Sequence, residues 1–449
     1  MDDVRDSIVL FSVRVLVPDP RTPWVTPTEE ASHAGGVGFI IAGRRILTCA
    51  HSLVYVRRVR AKRAGRAGEY EARVLHVDCD RELGVLTVDD EEFWDGARAL
   101  ELGALPELGA PLTLVGVNAG TSTDVLEASR GSVVGVALTK YGLSQRHLLV
   151  IESDAAAVPG YSGAPAIGSD GALLGVAFQE LEGRVHLVPS AVVTTFLEDA
   201  RDGAIAGVPD LGVYTQKSTN PALRSYLRLP DAAGGAVVSR VVHGASCAAI
   251  LEENDVICAV DGHAVARDET IPCGAHRVHF THAVSRHQIG DVVALEVWRD
   301  GALQHIAVPL KPYVALVPPP RPDVPPRYLI LGGLVFAPMT YELASAREGG
   351  LAMADFRIKH WYYEGLPSPA RREIVVLTHV LEHELTADCA DMRGAAVAKV
   401  NGVPITELRD LARALRSPLA GHHVIELERH AARLLVLDAR LATLASYTD

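Results

Sequence analysis

The chain has 449 residues, of which 48% are hydrophobic and 22% are charged, and its formal net charge is −12. This composition excludes a disordered chain, and the negative charge argues against binding to nucleic-acid phosphates as the main activity. The length predicts roughly two to four domains.

Short apolar segments alternate with turn-forming residues over the first part of the chain, which predicts many short strands. The predicted strands are Ile8–Val17, Gly36–Ile41, Arg44–Thr48, Val54–Arg60, Tyr70–His76, Leu83–Val88, Leu112–Gly116, Gly131–Ala137, Leu148–Ile151, Leu173–Gln179 and Val185–Val188. A helix is predicted at Ala191–Asp202, because Ser190 can cap it and apolar residues recur at helical spacing. A long β region closed by one terminal helix is typical of a double β-barrel of trypsin type.

One basic segment, Arg57–Arg66, lies between strand-like residues. It is short, so we interpret it as a solvated hairpin, with a docking patch as the alternative. It does not change the exclusion of nucleic acid as the main partner.

A second unit begins near Val208 and mixes strands with short helices. Strands are predicted at Gly235–Val242, Val256–Val260, Val292–Arg299 and Ala302–Leu310, and helices at Ser246–Leu251 and Cys273–His287. A proline-rich stretch, 318–326, is predicted to be a semi-rigid linker because proline disfavours both helices and central strands. The predicted boundaries are 1–207, 208–312, a linker at 313–327, and a third unit at 328–449.

The third unit repeats a feature of the second. Ala396–Ile405 echoes Val256–Val265, since in both an apolar alternating strand ends in Asp-Gly or Asn-Gly, a turn dipeptide. This indicates a repeat of whole domains.

The six cysteines are scattered, without a CxxC pair or the spacing of a zinc site. Such usage indicates reduced thiols in an intracellular protein. The amino-terminal MDDVRDS is no secretory signal and is too acidic for a transit peptide, and no apolar run approaches the roughly 18 residues of a membrane span. We therefore expect a soluble intracellular protein without a transmembrane segment, metal or other cofactor.

The segment Val158–Pro165, VPGYSGAP, carries the strongest chemical signal. Acyl transfer needs a serine on a sharp turn, which Gly160 and Gly163 permit. Ser162 is then the candidate nucleophile, and the backbone around Gly160, Tyr161 and Ser162 the candidate oxyanion hole. An ordinary glycine-rich turn is the alternative.

A candidate base precedes this turn. His51 follows a small residue at the end of a predicted strand, in the segment LTCAHS. A lone histidine is more often structural, but His51 lies upstream of Ser162 with acidic residues between them. The order base, acid, nucleophile is one of those used by serine hydrolases.

Three segments together resemble the HtrA/Deg family of PDZ-bearing serine proteases, in which the typical forms are GSGF, LTNAH and GNSGGP. The matching segments are Gly36–Ile41 (GVGFII), Arg45–His51 (RILTCAH) and Gly160–Pro165 (GYSGAP). Ala177–Gln179, Glu91–Trp94 and Tyr328–Phe336 are similar to the plant-type Deg branch. The resemblance implies a mainly β protein, in which a trypsin/chymotrypsin-like double β-barrel is followed by two PDZ-like α+β domains.

The third catalytic residue departs from the family pattern, an aspartate directly before a short apolar strand. Matching Leu83–Val88 to that strand places Glu82 at the position of the aspartate. A glutamate can orient an imidazole, but its extra methylene moves the carboxylate by about 1.5 Å. We therefore predict Glu82 as the acid, with Asp80 or no functional acid as alternatives.

Other departures lie around the nucleophile. Tyr161 stands where the family usually has asparagine, Ala164 replaces a glycine, and Val37 replaces a serine or threonine. The Ala164 methyl is expected to crowd the loop behind Ser162. The alanines that follow Asp154 place no charge at the expected pocket base, which favours a small or medium apolar residue before the scissile bond; Asp154 is expected to be structural.

PDZ domains add an extended peptide to a sheet edge and take its terminal carboxylate on a loop of backbone N–H groups. In the first module the predicted loop includes Leu227, Arg228 and Leu229, and in the second it is Leu331–Leu334. The alternative for either module is a blocked groove that serves assembly.

One further motif, His379-Val-Leu-Glu-His383, fits the HxxEH pattern of inverted zinc proteases. A β-branched run precedes it and favours a strand over the helix that such a site requires. We therefore predict no metal there.

These features predict an ATP-independent serine endopeptidase that degrades unfolded or damaged proteins. The resemblance implies a homotrimer or a multiple of trimers, with Trp24 as a candidate contact, and does not distinguish chloroplast stroma from nucleus or cytosol. The departures at Glu82, Tyr161 and Ala164 motivate the alternative, a weak or inactive protease-like scaffold acting as a chaperone or peptide-binding adaptor.

Overall fold

In a computed structural model of the protein, the residues described are 2–25, 27, 31–117, 125–157, 160–322, 324–346, 356–428 and 434–445. They form two compact units. The first unit consists of Met1–Val17, Thr28–Val241 and Ala245–Tyr313, and the second of Pro18–Pro27, Val242–Gly244 and Val314–Asp449.

The first unit begins with a short helix and a closed barrel of six strands. They are α1 (Asp2–Arg5), β1 (Ile8–Val15), β2 (Ala31–Ile41), β3 (Arg45–Cys49), β4 (Val56–Arg63), β5 (Glu69–Asp78) and β6 (Leu83–Val88). Strand order is β1-β2-β3-β6-β5-β4, all antiparallel. Phe11, Val13 and Val15 point into the barrel core while Ser12 and Arg14 are exposed, which is the alternation that sends one face inward.

A second closed barrel follows, with strand order β10-β11-β12-β9-β8-β7. Its elements are β7 (Pro111–Val117), β8 (Leu126–Lys140), β9 (His147–Ser153), β10 (Pro165–Gly168), β11 (Leu173–Leu181), β12 (Arg184–Pro189) and α2 (Ser190–Asp199). Val193 and Phe196 of α2 are fully buried against the barrel. The predicted double β-barrel with a terminal helix is confirmed.

The basic segment forms the hairpin β4–β5, as predicted. Two of its arginines lie opposite acidic residues: Arg58 is 3.7 Å from Glu71, and Arg60 is 3.5 Å from Glu69. All four side chains are well exposed, so these pairs add little to stability.

The first module completes the first unit. Its elements are β13 (Pro209–Asp210), β14 (Val213–Lys217), α3 (Pro221–Tyr226), β15 (Ala236–Val241), β16 (Val256–Val260), β17 (His263–Ala264), β18 (Thr270–Cys273), β19 (His276–His279), α4 (Thr281–Ser285), β20 (Val292–Arg299), β21 (Ala302–Pro309) and β22 (Lys311–Pro312). The main sheet has the order β14-β15-β16-β20-β21. Its core includes Leu149 of the second barrel, so module and barrel pack directly.

Two helices predicted in this module are wrong. The first part of Cys273–His287, residues 273–279, belongs to the hairpin β18–β19, which turns at Gly274 (φ 57°), and only Thr281–Ser285 is helical. Ser246–Leu251 forms successive turns in which Ala249 takes a φ of 61°. Strand pairing in the first segment and turn hydrogen bonds in the second outweigh helix propensity.

The second unit holds two small sheets, ordered β23-β24-β25 and β27-β26-β28-β29. Its elements are β23 (Leu329–Leu331), β24 (Leu334–Pro338), α5 (Tyr341–Ser345), α6 (Phe356–Tyr363), β25 (Val375–Val380), β26 (Val397–Val400), β27 (Val403–Pro404), α7 (Leu408–Ala414), β28 (His422–Leu427), β29 (Leu434–Asp438) and α8 (Ala439–Ala445). The predicted linker does not run free at its start, since Leu316 and Val317 are buried in a core cluster of this unit.

The two modules share the predicted repeat. Asp261-Gly262 and Asn401-Gly402 both take positive φ values after a strand, at 46°, 76° and 50°, 81°. Their side chains play the same part, because Asp261 accepts the Ala294 N–H at 2.9 Å and Asn401 accepts the Val424 N–H at 2.8 Å.

Trp24, the candidate trimer contact, lies in the second unit. Its ring meets those of Tyr328 and His379 edge-on, with centroids 6.5 and 5.0 Å apart. These contacts are within the chain and leave the ring partly buried.

Candidate active site

His51 lies where β3 ends, in a short 3-10 turn, Ala50–Ser52. Its side chain is 36% exposed, whereas that of Glu82 is 2% exposed. One oxygen of Glu82, Oε1, accepts two hydrogen bonds from His51. One comes from the ring Nδ1–H at 2.6 Å and the other from the backbone N–H at 2.9 Å. A carboxylate on Nδ1 leaves Nε2 as the nitrogen free to take a proton.

The backbone of Glu82 is held in an uncommon conformation. Its φ is 60°, in the left-handed region, and its carbonyl accepts the N–H of Ala50 at 3.1 Å. This turn aims the longer side chain back at His51. Asp80, the alternative acid, does not face His51: its Oδ2 accepts the Val208 N–H at 3.0 Å and Arg146 Nη1 at 3.3 Å.

The charge of Glu82 affects two buried neighbours. Burial and then the Glu82 carboxylate raise the pKa of the Cys49 thiol and the pKa of the Tyr141 hydroxyl well above their usual values. Both groups therefore stay protonated and act as donors: Cys49 Sγ donates to the Ala177 carbonyl at 3.1 Å, and Tyr141 to the Leu149 carbonyl at 2.6 Å.

Ser162 lies on a turn that two glycines make possible. Gly160 and Gly163 have φ values of 100° and 84°. A Cβ at Gly163 would lie 2.0 Å from the Val37 carbonyl oxygen and 2.3 Å from Thr48 Oγ1, so no larger residue fits. The Ala164 N–H closes the turn on the Tyr161 carbonyl at 2.9 Å.

The turn that carries Ser162 is hydrogen-bonded to the first barrel. The Ser162 carbonyl accepts the Val37 N–H at 3.2 Å, and Thr48 Oγ1 donates to the Val37 carbonyl at 2.7 Å. The Ala177 carbonyl accepts the Gly163 N–H at 2.8 Å as well as the Cys49 thiol. These bonds bring the turn of Ser162 and the strand that leads to His51 together at the junction of the two barrels.

The unusual residues beside Ser162 are accommodated in the core. Tyr161 is 5% exposed and packs over Gly116, where a Cβ would lie 2.7 Å from the ring. Ala164 is fully buried in the same apolar cluster. The Ala164 methyl, which we expected to crowd the loop, lies within this apolar cluster.

Asp154 is structural in the sense predicted. It accepts the Ser132 backbone N–H at 2.6 Å, and this bond lowers the pKa of its carboxyl group. Of the alanines that follow, Ala155 is buried, Ala156 is exposed and Ala157 is partly buried.

The predicted peptide-binding loop of the first module is not supported. The N–H groups of Leu227, Arg228 and Leu229 donate to the carbonyls of Leu223, Ser225 and Arg224, at 2.9, 3.1 and 2.9 Å. This segment ends α3 and offers no free amides to a carboxylate. In the second module, Gly332 and Gly333 form a tight hairpin turn between β23 and β24.

The two histidines of the HxxEH motif, His379 and His383, have other contacts in the structure. His379 lies in β25 against Trp24, and His383 Nδ1 accepts the Leu385 N–H at 3.1 Å. No group of three or more histidine, cysteine or acidic side chains suited to a metal occurs among the residues described above.

Sequence reasoning missed the buried arginines that form ion pairs close to Glu82. Arg81 is 1% exposed and pairs with two buried carboxylates, and Arg146 is 8% exposed. An arginine gives little sign of burial in a single sequence, because its partners lie far along the chain.

Comparison with protein families gives three matches. Residues 36–176 match the trypsin-like peptidase domain, and residues 209–310 and 317–447 each match a PDZ domain. The predicted order of domains, one protease domain followed by two PDZ domains, is confirmed.

Curated relatives match nearly the whole chain. Protease Do-like 2, chloroplastic, of Arabidopsis thaliana is 35% identical over 434 residues, which cover 94% of this chain and 70% of the relative. Protease Do-like 4, mitochondrial, of the same plant is 29% identical over 92% of this chain and 77% of the relative.

Solved structures share the fold. The HtrA-type protease AlgW with a decapeptide aligns with a TM-score of 0.52 and 19% identity, covering 71% of this chain and 98% of that one. A singly substituted form of AlgW, also with a decapeptide, aligns with a TM-score of 0.54 and 21% identity. This alignment covers 72% of this chain and 97% of that one. Among the helices described here, none has the length and apolar character needed to cross a membrane.

Proposed function

The chain belongs to the Do-like (HtrA/Deg) family of serine proteases, and we propose that Ser162, His51 and Glu82 are the residues with which it hydrolyses peptide bonds. The chain is accordingly a serine-type endopeptidase. The family alone does not assign the three residues, so the assignment is argued from their contacts.

The observation that carries the assignment is the pair of hydrogen bonds from His51 to Glu82 Oε1. They fix the ring orientation and stabilise the imidazolium that forms when His51 takes the proton of Ser162. Ser162 Oγ bonds to the peptide carbonyl carbon, the C–N bond breaks, and His51 passes the proton to the amine that leaves. His51 then takes a proton from a water molecule that attacks the acyl-enzyme, and returns it to Ser162 as the acid product leaves.

We assign the oxyanion hole to the backbone around Ser162. Gly160 has the left-handed conformation that glycine adopts without strain, and the N–H groups of Gly160 and Ser162 are the donors we propose for the oxyanion. Those of Gly163 and Ala164 already donate within the fold. Tyr161 contributes by packing its ring beneath the turn.

We propose that the residue before the scissile bond is small or medium-sized and apolar. The supporting observation is the row of alanines after Asp154, which brings no charge to the expected base of the specificity pocket. The test compares otherwise identical peptides with valine, alanine, lysine or aspartate at that position, and preference for a charged residue would contradict the proposal.

We further propose that the first PDZ module holds extended substrate on β14, unlike the loop predicted from sequence. In the described sheet β14 pairs with β15 alone and follows Gly212, whose φ is 72°. An edge strand after such a turn suits strand addition by an unfolded or damaged protein.

The alternative function, an inactive scaffold, loses support at Glu82, because the geometry lets the longer side chain reach His51. The test is casein degradation and fluorophosphonate labelling by the full chain, by Ser162→Ala and by the exposed control Ser417→Ala. We expect only Ser162→Ala to lose both activities. A parent chain that neither labels nor degrades casein would contradict the proposal.

We propose a homotrimer or a multiple of it, acting inside the cell. The first is tested by the mass of the full chain in solution, and a monomer at micromolar concentration would contradict it. The second is tested by cell fractionation, in which chloroplast stroma, cytosol and nucleus are separate outcomes.

A further inference from the structure

Two consecutive side chains of β3, Thr48 and Cys49, lie just before His51 and are both fully buried. Neighbouring side chains of a strand point to opposite faces, and each of these two donates a hydrogen bond to a backbone carbonyl. Thr48 Oγ1 donates to Val37 of the first barrel at 2.7 Å, and Cys49 Sγ donates to Ala177 of the second barrel at 3.1 Å. The strand that leads to the base is therefore bonded to both barrels.

The two carbonyls belong to the residues that hold the turn of Ser162. The Val37 N–H donates to the Ser162 carbonyl at 3.2 Å, and the Ala177 carbonyl also accepts the Gly163 N–H at 2.8 Å. Thr48 lies against the turn as well, since a Cβ on Gly163 would be 2.3 Å from its Oγ1. Each connection thus runs from β3 to the nucleophile turn through a single residue.

Packing alone does not require these two donors. Valine has the shape of threonine without the hydroxyl, and a buried hydroxyl costs free energy unless it finds a partner. The hydroxyl of Thr48 therefore adds stability only through the bond that it donates. At position 49 the typical HtrA/Deg form LTNAH has an asparagine, whereas this chain has a cysteine, whose thiol reaches Ala177.

The place of Ser162 relative to His51 depends on such connections because the two residues belong to different barrels. Ser162 precedes β10 of the second barrel, whereas His51 directly follows β3 of the first. The serine hydroxyl passes its proton to the imidazole only when the two groups are within hydrogen-bond reach. A displacement of about 1 Å at such a site can cost roughly 100-fold in rate.

We propose that Thr48 and Cys49 are positioning residues for the nucleophile Ser162. They keep its turn within reach of His51 by hydrogen bonds that join the two barrels. Both are fully buried, so neither touches the substrate. The inference rests on the proposed function of Ser162 and His51.

The first test compares Thr48→Val, which keeps the shape and removes the hydroxyl, with Thr48→Ser, which keeps the hydroxyl. The matched control is Thr386→Val, because Thr386 is 2% exposed and its Oγ1 donates to a carbonyl at 2.7 Å in the second unit. On a short peptide we expect Thr48→Val to lower kcat about tenfold with KM unchanged. Thr48→Ser and the control should keep the kcat of the parent.

The second connection is tested by Cys49→Ala and Cys49→Ser, with Cys247→Ala as the control. Cys247 is also fully buried, but it lies in the core of the first PDZ module. We expect Cys49→Ala to lower kcat with KM unchanged, and Cys49→Ser to restore kcat because a hydroxyl donates in place of the thiol. The control should keep kcat. If Thr48→Val does not fold, the variants of Cys49 decide.

Amide hydrogen exchange at Gly163, followed by NMR, reports the state of the turn without requiring activity. The Gly163 N–H donates to the Ala177 carbonyl, and a looser turn exposes it to exchange more often. We expect faster exchange in Thr48→Val and in Cys49→Ala than in the parent. Both controls should exchange at the rate of the parent.

Unchanged kcat, or unchanged exchange at Gly163, in the folded variants overturns the proposal. Equal losses in the controls, or no rescue by the two serine variants, overturn it as well, because a general loss of stability would then explain the effect. If the parent hydrolyses no peptide and is not labelled by a fluorophosphonate, the proposed function fails. The exchange at Gly163 then still decides whether the two donors hold the turn.

Discussion

The Oε1 atom of Glu82 accepts two hydrogen bonds from a single residue, His51, through its Nδ1 atom at 2.6 Å and its backbone N–H at 2.9 Å. The paired bonds fix both the ring and the start of the turn that carries it. The left-handed backbone of Glu82 sets the distance at which a glutamate, rather than an aspartate, meets the ring.

Shortening this side chain should therefore harm the enzyme. In Glu82→Asp the carboxylate retreats by about 1.5 Å, and a displacement of that size costs roughly 100-fold in kcat. Glu82→Gln should cost up to about 10⁴-fold, since an amide cannot hold the same tautomer. The measurement is kcat on a peptide, with urea unfolding as the control.

The free energy of unfolding distinguishes a loss of catalysis in Glu82→Asp from a loss of the folded structure. Aspartate tolerates the left-handed conformation better than glutamate does, so the unfolding free energy of Glu82→Asp should not fall below that of Glu82→Gln. A Glu82→Asp variant as active as the parent would show that the reach of the side chain is not needed.

Gly163→Ala should destabilise the protein and abolish activity. The new methyl would lie 2.0 Å from the Val37 carbonyl oxygen at a φ of 84°, and we expect a loss of about 3 kcal/mol or more. The matched control is Gly183→Ala, at a φ of 76° with nothing within 4 Å, which should lose about 1 kcal/mol. Urea unfolding measures both, and equal losses would refute the steric argument.

Tyr161 and Gly116 should behave as a pair. A methyl at Gly116 would press on the Tyr161 ring at 2.7 Å and displace the turn that holds Ser162, so Gly116→Ala should lower kcat roughly tenfold. Adding Tyr161→Asn removes the clash and should recover part of that loss. Additive losses in the double-mutant cycle would mean that the two positions are independent.

His282 should make stability depend on pH. It is 5% exposed in α4, its Nδ1 has no hydrogen-bond partner among the described residues, and burial, with a smaller effect of Arg286, lowers its pKa to about 4. The unfolded chain, with a pKa near 6.5, therefore binds this proton more readily. The resulting loss of stability starts as pH falls below about 6.5 and approaches about 3 kcal/mol below pH 4.

The comparison that isolates this effect is His282→Leu against the parent, with the 76% exposed His305→Leu as control. Urea unfolding at pH 7 and at pH 4 should show the parent losing about 3 kcal/mol more than His282→Leu over this interval. The parent and His305→Leu should lose equal amounts. Parallel pH profiles for all three chains would rule out His282 as the cause.

The sequence alone determined the architecture and pointed to His51 and Ser162 as the proposed base and nucleophile. Turn dipeptides, alternating apolar residues and the segments around His51 and Ser162 are local signals, and they predicted the double barrel and the repeated module. The family resemblance, through the strand that follows Glu82, predicted Glu82 as the acid. The predictions failed where strand pairing outweighed local propensity, as in Cys273–His287, and where the amides of the predicted loop at Leu227–Leu229 proved to be used within the module.

Only the tertiary structure decided how the acid reaches the base. The distance from Glu82 to His51 and the ion pairs of Arg81 with Asp199 and of Arg146 with Asp210 all join residues far apart in sequence. A buried ion pair depends on partners that fold together, and these lie 118 residues apart for Arg81 and Asp199. Local sequence patterns cannot predict such an ion pair, because its two residues come into contact only when the chain folds.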